Sequence, residues 1–311
     1  MTIAKPFLDA EVILRLSGIP LEARSPMIGN VSGRHRSSVR GSSLEFAQYR
    51  KYVPGDDTRR MDWRVWGRSD RCFIKEFEAD TNLRMCIVLD TSGSMNYGPN
   101  GAASAPLPKM EYARKLAGTL AWLTIKQGDA VGLYCAGNEL NQSIPPRRGA
   151  RHLKVIIDRL ERVQADGQTG LASTLHHVSE RIPRRSLIVV ISDLYVEPAT
   201  FASSFQHLRY RKHDVALFHV LDQSELDLDF SQPMKFIDLE GGDAILADPI
   251  LIGNAYRDGV KQYFEDVDEI VRLARVDYRR AMLQDEYGNV LARFLSARQR
   301  RKGSTRNGRS S

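Results

Sequence analysis

Cysteine is scarce in this chain, and so are long apolar runs. The three thiols, Cys72, Cys86 and Cys135, are odd in number, form no CxxC pair, and two of them sit inside apolar stretches. That pattern argues against a disulfide framework and for buried thiols in a reducing compartment, so a cytoplasmic location is expected. The opening "MTIAKPFLDAEVILRLSG" is interrupted by Asp9, Glu11 and Arg15, so neither a signal peptide nor a membrane span is expected there, and no other stretch is long enough to cross a bilayer. Several catalytic signatures are missing as well. There is no P-loop and no G-x-S-x-G elbow. His176 and His177 are adjacent on a helical pattern and face different directions, which excludes the paired histidines of a metalloprotease.

What is present is enough for a full core: 311 residues, 42% hydrophobic and 27% charged. The net charge of +7 is unevenly placed. Residues 34–75 carry eleven Lys/Arg against five Asp/Glu, and residues 298–311, "RQRRKGSTRNGRSS", carry six Lys/Arg and no acid. Each segment contributes about +6, so the remainder is near −5 by subtraction from the total. The tail is polar and rich in Gly and Ser, and is expected to be disordered.

After residue 80 the pattern alternates. "RMCIVLD" (84–90) and "LIVVISD" (187–193) are continuous apolar runs ending in Asp, as expected of parallel strands covered on both faces; "VGLYCAG" (131–137) and "DVALFHVL" (214–221) are similar. Helical spacing separates them. Ala113, Leu116, Ala117, Leu120 and Ala121 form one stripe with Gly128 as its stop; Leu153, Ile156, Ile157 and Leu160 form a second, and Leu171, Leu175, Val178 and Ile182 a third. A doubly wound, mostly parallel α/β sheet of the Rossmann type follows. Beyond residue 225, "MKFIDLEGGDAILAD" reads as a β-hairpin insertion (234–248) turning at Gly241-Gly242. Val260, Phe264, Val267, Ile270, Val271 and Ala274 resume a helix, then "DYRRAML" reads as a last strand and "EYGNVLARFLSAR" as a closing helix.

Ligands of open α/β sheets gather at the carboxyl ends of the strands, and Asp90 and Asp193 are both placed there. Asp90, Ser92 and Ser94 within "DTSGS", Thr169 within "DGQTGLAST" and Asp193 make an all-oxygen donor set suited to Mg²⁺ or Mn²⁺. With so few carboxylates such a site keeps an open coordination position. A plainer alternative is that Ser92 and Ser94 cap the next helix and Asp90 makes an Asx turn. A phosphotransfer aspartate would want a second carboxylate two residues after Asp90, where Ser92 stands.

At these residues the chain resembles von Willebrand factor A-like domains over roughly residues 81–299. Their metal-ion-dependent adhesion site is Asp-x-Ser-x-Ser, then Thr, then Asp. The resemblance implies metal contacts from the Ser92, Ser94 and Thr169 hydroxyls, Asp90 and Asp193 bound directly or through water, and a partner's Asp or Glu completing the shell. Gln168, where a second Gly is common, and Leu194, where many members have Gly, depart from the pattern. Upstream, "GRHRSSVRGSSLEFAQYRKYVPGDDTRRMDWRVWGRSD" (33–70) resembles the signature of the DUF58 family, with His35, Glu45, Phe46, Arg50, Tyr52, Gly55, Asp56, Asp57, Arg59, Asp62 and Trp63 in place. That family occurs with MoxR-type AAA+ ATPases, thought to mature other complexes, which implies such an ATPase or its client as the partner.

Physically, Pro54-Gly55-Asp56-Asp57 reads as a turn flanked by Arg50 and Arg59 and anchored by Trp63. Residues 1–80 are therefore expected to form an arm packed on the main domain, structural or serving to dock a partner. His35 has no second His at metal spacing and reads as a hydrogen-bonded structural residue. The organisation expected is arm 1–80, A-like domain 81–299 and basic tail 300–311. The function expected is a non-enzymatic, metal-dependent interaction module, an adaptor or co-chaperone. The alternative is nucleic-acid binding, with the basic residues of 34–75 interleaved with Tyr49, Tyr52, Trp63, Trp66 and Phe73 and aided by the tail; the acids Asp56, Asp57 and Asp62 count against it.

Overall fold

The computed structural model describes residues 7–23, 44–51, 65, 67, 72–79, 83–99, 106–137, 143–183, 185–230 and 232–307, with backbone alone at 44–51, 73–79 and 301–307. Two compact units are distinguished, residues 26–82 and the remainder. In the smaller, β1 (Leu44–Lys51) and β2 (Phe73–Ala79) form an antiparallel pair with a register shift between Phe46 and Gln48. The helix α1 (Ala10–Leu16), N-capped by Asp9, groups with the larger unit.

The larger unit is built on a six-stranded sheet whose strands are β3 (Arg84–Asp90), β4 (Ala130–Ala136), β5 (Ile144–Arg147), β6 (Leu187–Ser192), β7 (Asp214–Leu221) and β10 (Asp277–Met282). Their spatial order is β10-β7-β6-β3-β4-β5, parallel throughout except for β5. Every residue of β4, β6 and β7 is buried, which is why their sequences are unbroken apolar runs rather than alternating ones. The edge strand β5, "IPPR", was not legible as a strand because Pro145 and Pro146 cannot donate to a ladder; an antiparallel edge tolerates them.

Helices cover both faces. On one, α4 (Leu171–Arg181), α5 (Pro198–Tyr210) and α7 (Pro249–Ala274), the last preceded in the chain by the short α6 (Gln223–Asp227), pack Leu175, Val178, Phe201, Phe205, Val267 and Val271 against β-strand residues such as Val190 and Leu217. On the other, α2 (Lys109–Lys126), α3 (Ala150–Arg162), α1 and α8 (Tyr287–Asn307) contact one another, and Phe218 of β7 meets Phe294 of α8 edge to face at 4.9 Å between centroids. The three helical stripes anticipated from spacing are all buried. The doubly wound α/β class is the observed one, and its chain order reverses between β3 and β6, opening a crevice at their carboxyl ends.

Three local expectations need correction. The hairpin exists as β8 (Met234–Phe236) and β9 (Ile245–Ala247), but Phe236 pairs with Ile245, so residues 237–244 form a long loop in place of a two-residue turn. Within that loop Asp238 accepts the Glu240 N–H at 2.8 Å and Gly241 takes φ 98°, so Asp and Gly make a local turn of their own rather than a hairpin tip. The helix α7 starts well before Val260, capped by Asp248 with Pro249 at its first position; exposed Ile250 and Leu251 hide this from a periodicity argument. The tail also differs: α8 continues to Asn307, and Arg298 is buried. Its guanidinium donates two bonds to Asp214, at 2.8 and 3.1 Å, and lies 3.3 Å from Asp277. These two aspartates begin β7 and β10, so the residue counted as free positive charge instead ties the amino ends of neighbouring strands together. Residues 308–311 lie outside the described residues.

Candidate metal centre

The carboxyl ends of β3 and β6 lie side by side, with Leu89 in register with Ile191. Asp90 ends β3, and the chain leaves it in a turn closed by the Ser92 N–H on Asp90 Oδ1 at 3.0 Å, leading into a 3-10 turn over Gly93–Asn96. Asp193 follows the last residue of β6. Thr169 arrives from the loop before α4, where Gly170 lets two backbones meet: a Cβ there would sit 2.3 Å from the Gly137 carbonyl oxygen after β4. Three separate connections thus deliver their polar residues to one rim.

The five predicted residues are brought together. The Ser92 and Ser94 hydroxyl oxygens are 3.0 Å apart, the Ser94 hydroxyl donates to Asp193 Oδ1 at 3.2 Å, and the Thr169 hydroxyl lies 3.3 and 3.2 Å from the two Asp90 oxygens. Asp90, Ser92, Ser94 and Asp193 are buried and Thr169 is half-buried. Asx-turn geometry at Asp90 is present too, so the plainer reading of that carboxylate and the ligand reading coexist. Burial, reinforced by the nearby Asp193 carboxylate, pushes the Asp90 carboxyl up to about 6 against the hydrogen bonds that favour its charge.

Sequence reasoning missed several neighbours. Ser192 donates to Asp90 Oδ2 at 2.6 Å and receives the Leu194 N–H at 2.8 Å. Lys109, almost wholly buried in the first turn of α2, donates to Asp193 Oδ2 at 2.8 Å and to Glu225 at 2.5 Å. Burial opposes its charge, yet attraction from Asp193 and Glu225 outweighs that and raises its pKa. The available signal was a cation in a first helical turn, where the helix dipole disfavours it. His219, from β7, is within 2.9 Å of the Asp193 carbonyl oxygen through Nε2 and 2.8 Å of the Tyr278 hydroxyl through Nδ1. A carbonyl only accepts, so Nε2 carries the proton and Nδ1 accepts from Tyr278.

Gln168 and Leu194 are accommodated differently. Left-handed backbone falls on Gly167, φ 69°, whose carbonyl accepts the Gly93 N–H at 2.8 Å, and Gln168 is exposed. Leu194 itself takes φ 50°, the conformation glycine would adopt, while its side chain is buried and its carbonyl accepts the Tyr263 hydroxyl at 2.6 Å. The loop keeps a glycine-like shape with a leucine in it.

Of the upstream signature, Glu45, Phe46 and Arg50 stand on β1, opposite Glu78, Phe77 and Ile74 of β2. His35, Tyr52, Gly55, Asp56, Asp57, Arg59, Asp62 and Trp63 lie outside the described residues.

The donor chemistry fits a hard divalent cation. Among the described residues no three His, Cys, Asp or Glu side chains gather as a metal cluster, so a metal here would be held mainly by hydroxyls and two carboxylates. Among the described residues four acids, Asp90, Asp193, Glu225 and Glu240, interact at this rim with one ammonium, that of Lys109. That excess of negative charge in a desolvated place is what Mg²⁺ or Mn²⁺ would relieve.

Sheet order and two-sided helix cover define a doubly wound, mostly parallel α/β domain with the candidate site at its switch point. The chain belongs to the DUF58 family, described as a protein family of unknown function, whose model matches residues 48–261. An uncharacterized protein of Mycobacterium tuberculosis is 26% identical over 237 residues, spanning 75% of this chain and 73% of that protein. Among solved structures, a conserved hypothetical protein, BatB, from Bacteroides thetaiotaomicron is 16% identical with TM-score 0.45, covering 70% of this chain and all of that one. An aerotolerance-related membrane protein from Bacteroides fragilis gives 16% and 0.44 over 72% of this chain and all of that one. The SpRpn10 VWA domain gives 9% and 0.44 over 68% and 94%. Among the described residues of this chain no helix is long and apolar enough to cross a membrane.

Proposed function

We propose that this protein is a non-enzymatic, metal-dependent protein-interaction module, acting as adaptor or co-chaperone to a MoxR-type AAA+ ATPase in the maturation of other proteins. The carrying observation is the convergence of Asp90, Ser92, Ser94, Thr169 and Asp193 into one hydrogen-bonded oxygen set at the sheet's crevice. Those side chains would hold Mg²⁺ or Mn²⁺ and leave a vertex to an acidic side chain of the ATPase or its client.

Two features support binding over catalysis. The Ser94 hydroxyl donates to Asp193 and lies against the Ser92 hydroxyl, and His219 spends both ring nitrogens on the Asp193 carbonyl oxygen and the Tyr278 hydroxyl. Burial also pushes that imidazole down to about 4, so it is a poor base near neutrality. The free thiols, with Cys86 and Cys135 buried, suit a cytoplasmic setting. The nucleic-acid alternative is weakened by the engagement of Arg298 with Asp214 and Asp277.

Retention of a MoxR-type ATPase on immobilised protein tests the proposal, comparing Mg²⁺ with EDTA and wild type with Asp90→Ala. Loss in both EDTA and the variant is expected. Equal recovery throughout would overturn metal bridging.

A further inference from the structure

The 237–244 loop does not project away from the metal centre; it rests on it. Gly93, between the two serines of the motif, is where the contact is made: a Cβ there would lie 1.9 Å from the Leu239 carbonyl oxygen and 3.3 Å from the Glu240 nitrogen. The backbone of Leu239 and Glu240 is thus seated against the turn that carries Ser92 and Ser94, at a distance only glycine permits. Asp238 fixes the approach by accepting the Glu240 N–H, and the absence of a Cβ at Gly242 leaves room for the Asp238 carboxylate. Burial, joined by the Asp193 charge, raises the Glu240 carboxyl above its ordinary value, against hydrogen bonding from the Ser94 side chain and the Thr169 backbone beside it. Its Oε1 is out of contact with solvent and has no hydrogen-bond partner. A buried carboxylate oxygen without a donor is costly, and a cation held by the five ligand residues would satisfy it.

We infer that Glu240 is the chain's own occupant of the metal's open vertex, an internal acidic ligand that a partner's carboxylate must displace. This rests on the metal reading above. It gives the hairpin insertion a role: the loop closes the site at rest, and engagement of a partner requires it to lift. The same hairpin and the start of α7 expose Leu239, Ile245, Leu246, Ile250 and Leu251, so the part that must move is also apolar surface a partner would meet.

The test uses Mn²⁺ as probe on the full chain, with affinity from titration by electron paramagnetic resonance and the number of metal-bound waters from water relaxation. The variants are Glu240→Ala, Glu240→Gln and Asp90→Ala, each checked for native circular dichroism. The expected result is that wild type binds Mn²⁺, Asp90→Ala does not, and Glu240→Ala binds about ten-fold more weakly with one more bound water, Glu240→Gln falling between. Mn²⁺ bound through Asp90 with unchanged affinity and water count in Glu240→Ala would overturn the internal ligand alone. No Mn²⁺ binding by wild type would overturn the metal reading and this inference with it.

Discussion

The Lys109 ammonium lies 2.8 Å from Asp193 Oδ2, and both side chains are almost entirely out of solvent. A cation from the first turn of α2 is therefore already spent on a residue that the metal reading also claims. Asp193 divides its oxygens: Oδ1 accepts from Ser94 on the metal side and Oδ2 from Lys109 on the other. The lysine thereby lowers the negative charge that a divalent ion would see, and the two cations would compete electrostatically for one acid.

Replacing Lys109 by Met should consequently have two linked effects. Without divalent ion it strands buried carboxylates and should cost about 3–5 kcal/mol of stability. Adding Mn²⁺ should recover part of that, through mass action on a site whose acid is no longer shared. Thermal melts of wild type and Lys109→Met, in EDTA and in Mn²⁺, measure both. A rise in Tm on adding Mn²⁺ that is the same in the two proteins would refute the competition.

At the other end of the sheet, Arg298 contacts Asp214 with a bidentate fork and Asp277 through Nε, and it also donates to the Glu22 carbonyl oxygen at 2.9 Å. Arg298→Ala removes the fork from buried Asp214 and one of two arginine contacts from Asp277, which Arg279 still meets at 3.1 Å, and should destabilise by about 3–5 kcal/mol. Arg298→Lys keeps the charge without the fork and should fall between the two. Urea midpoints for the three proteins decide the matter, and a wild-type midpoint for Arg298→Ala would show that the aspartates find other partners.

These two ion pairs mark the boundary of what the sequence discloses. Apolar runs such as 187–193 and stripes such as Leu153, Ile156, Ile157 and Leu160 have a local period, so strands, helices and the position of Asp90 and Asp193 at strand ends can be read directly. Ser92, Ser94 and Thr169 follow because their order along the chain matches a known pattern. Arg298 carries no local signal of burial, and the one at Lys109, a cation in a first helical turn, does not name its partner; each is placed by a carboxylate 84 residues away in sequence, and composition counts both as surface charge. Residues 237–244 misled for a different reason, since Asp and Gly serve a hairpin tip and a longer docked loop equally well.

Leu194 offers a test in which strain and burial oppose each other. Its left-handed backbone costs a leucine about 1–2 kcal/mol, whereas emptying a buried leucine site costs about 2–5 kcal/mol. Burial wins, so both Leu194→Ala and Leu194→Gly should be less stable than wild type. Between the two, the glycine variant should be the more stable by about 1 kcal/mol, because only glycine takes this φ freely. Chemical denaturation of the pair reads the difference, and an alanine variant equal to or better than the glycine one would show that the backbone relaxes out of the left-handed region.

Two buried imidazoles should write themselves into the pH dependence of stability. Burial pushes both His213 and His219 from an ordinary value of 6.5 down to about 4. As pH falls below 6.5 the unfolded chain takes up a proton at each position while the folded chain does not, until about pH 4. Their stabilising effect is therefore complete above pH 6.5 and is lost progressively between there and about pH 4. Asp90 acts in the opposite sense, since its raised carboxyl lets the folded state gain a proton first. The net slope mixes these, and a difference experiment separates them. His213 accepts the Ser186 N–H at Nδ1, an acceptor that the Asn side-chain oxygen can imitate. His213→Asn should remove one proton from the uptake on unfolding, flattening the slope of unfolding free energy between pH 6 and 5 by about 1.4 kcal/mol per pH unit. Urea titrations of both proteins at pH 7, 6 and 5 provide the comparison; parallel curves would mean that His213 titrates alike in the folded and unfolded chains.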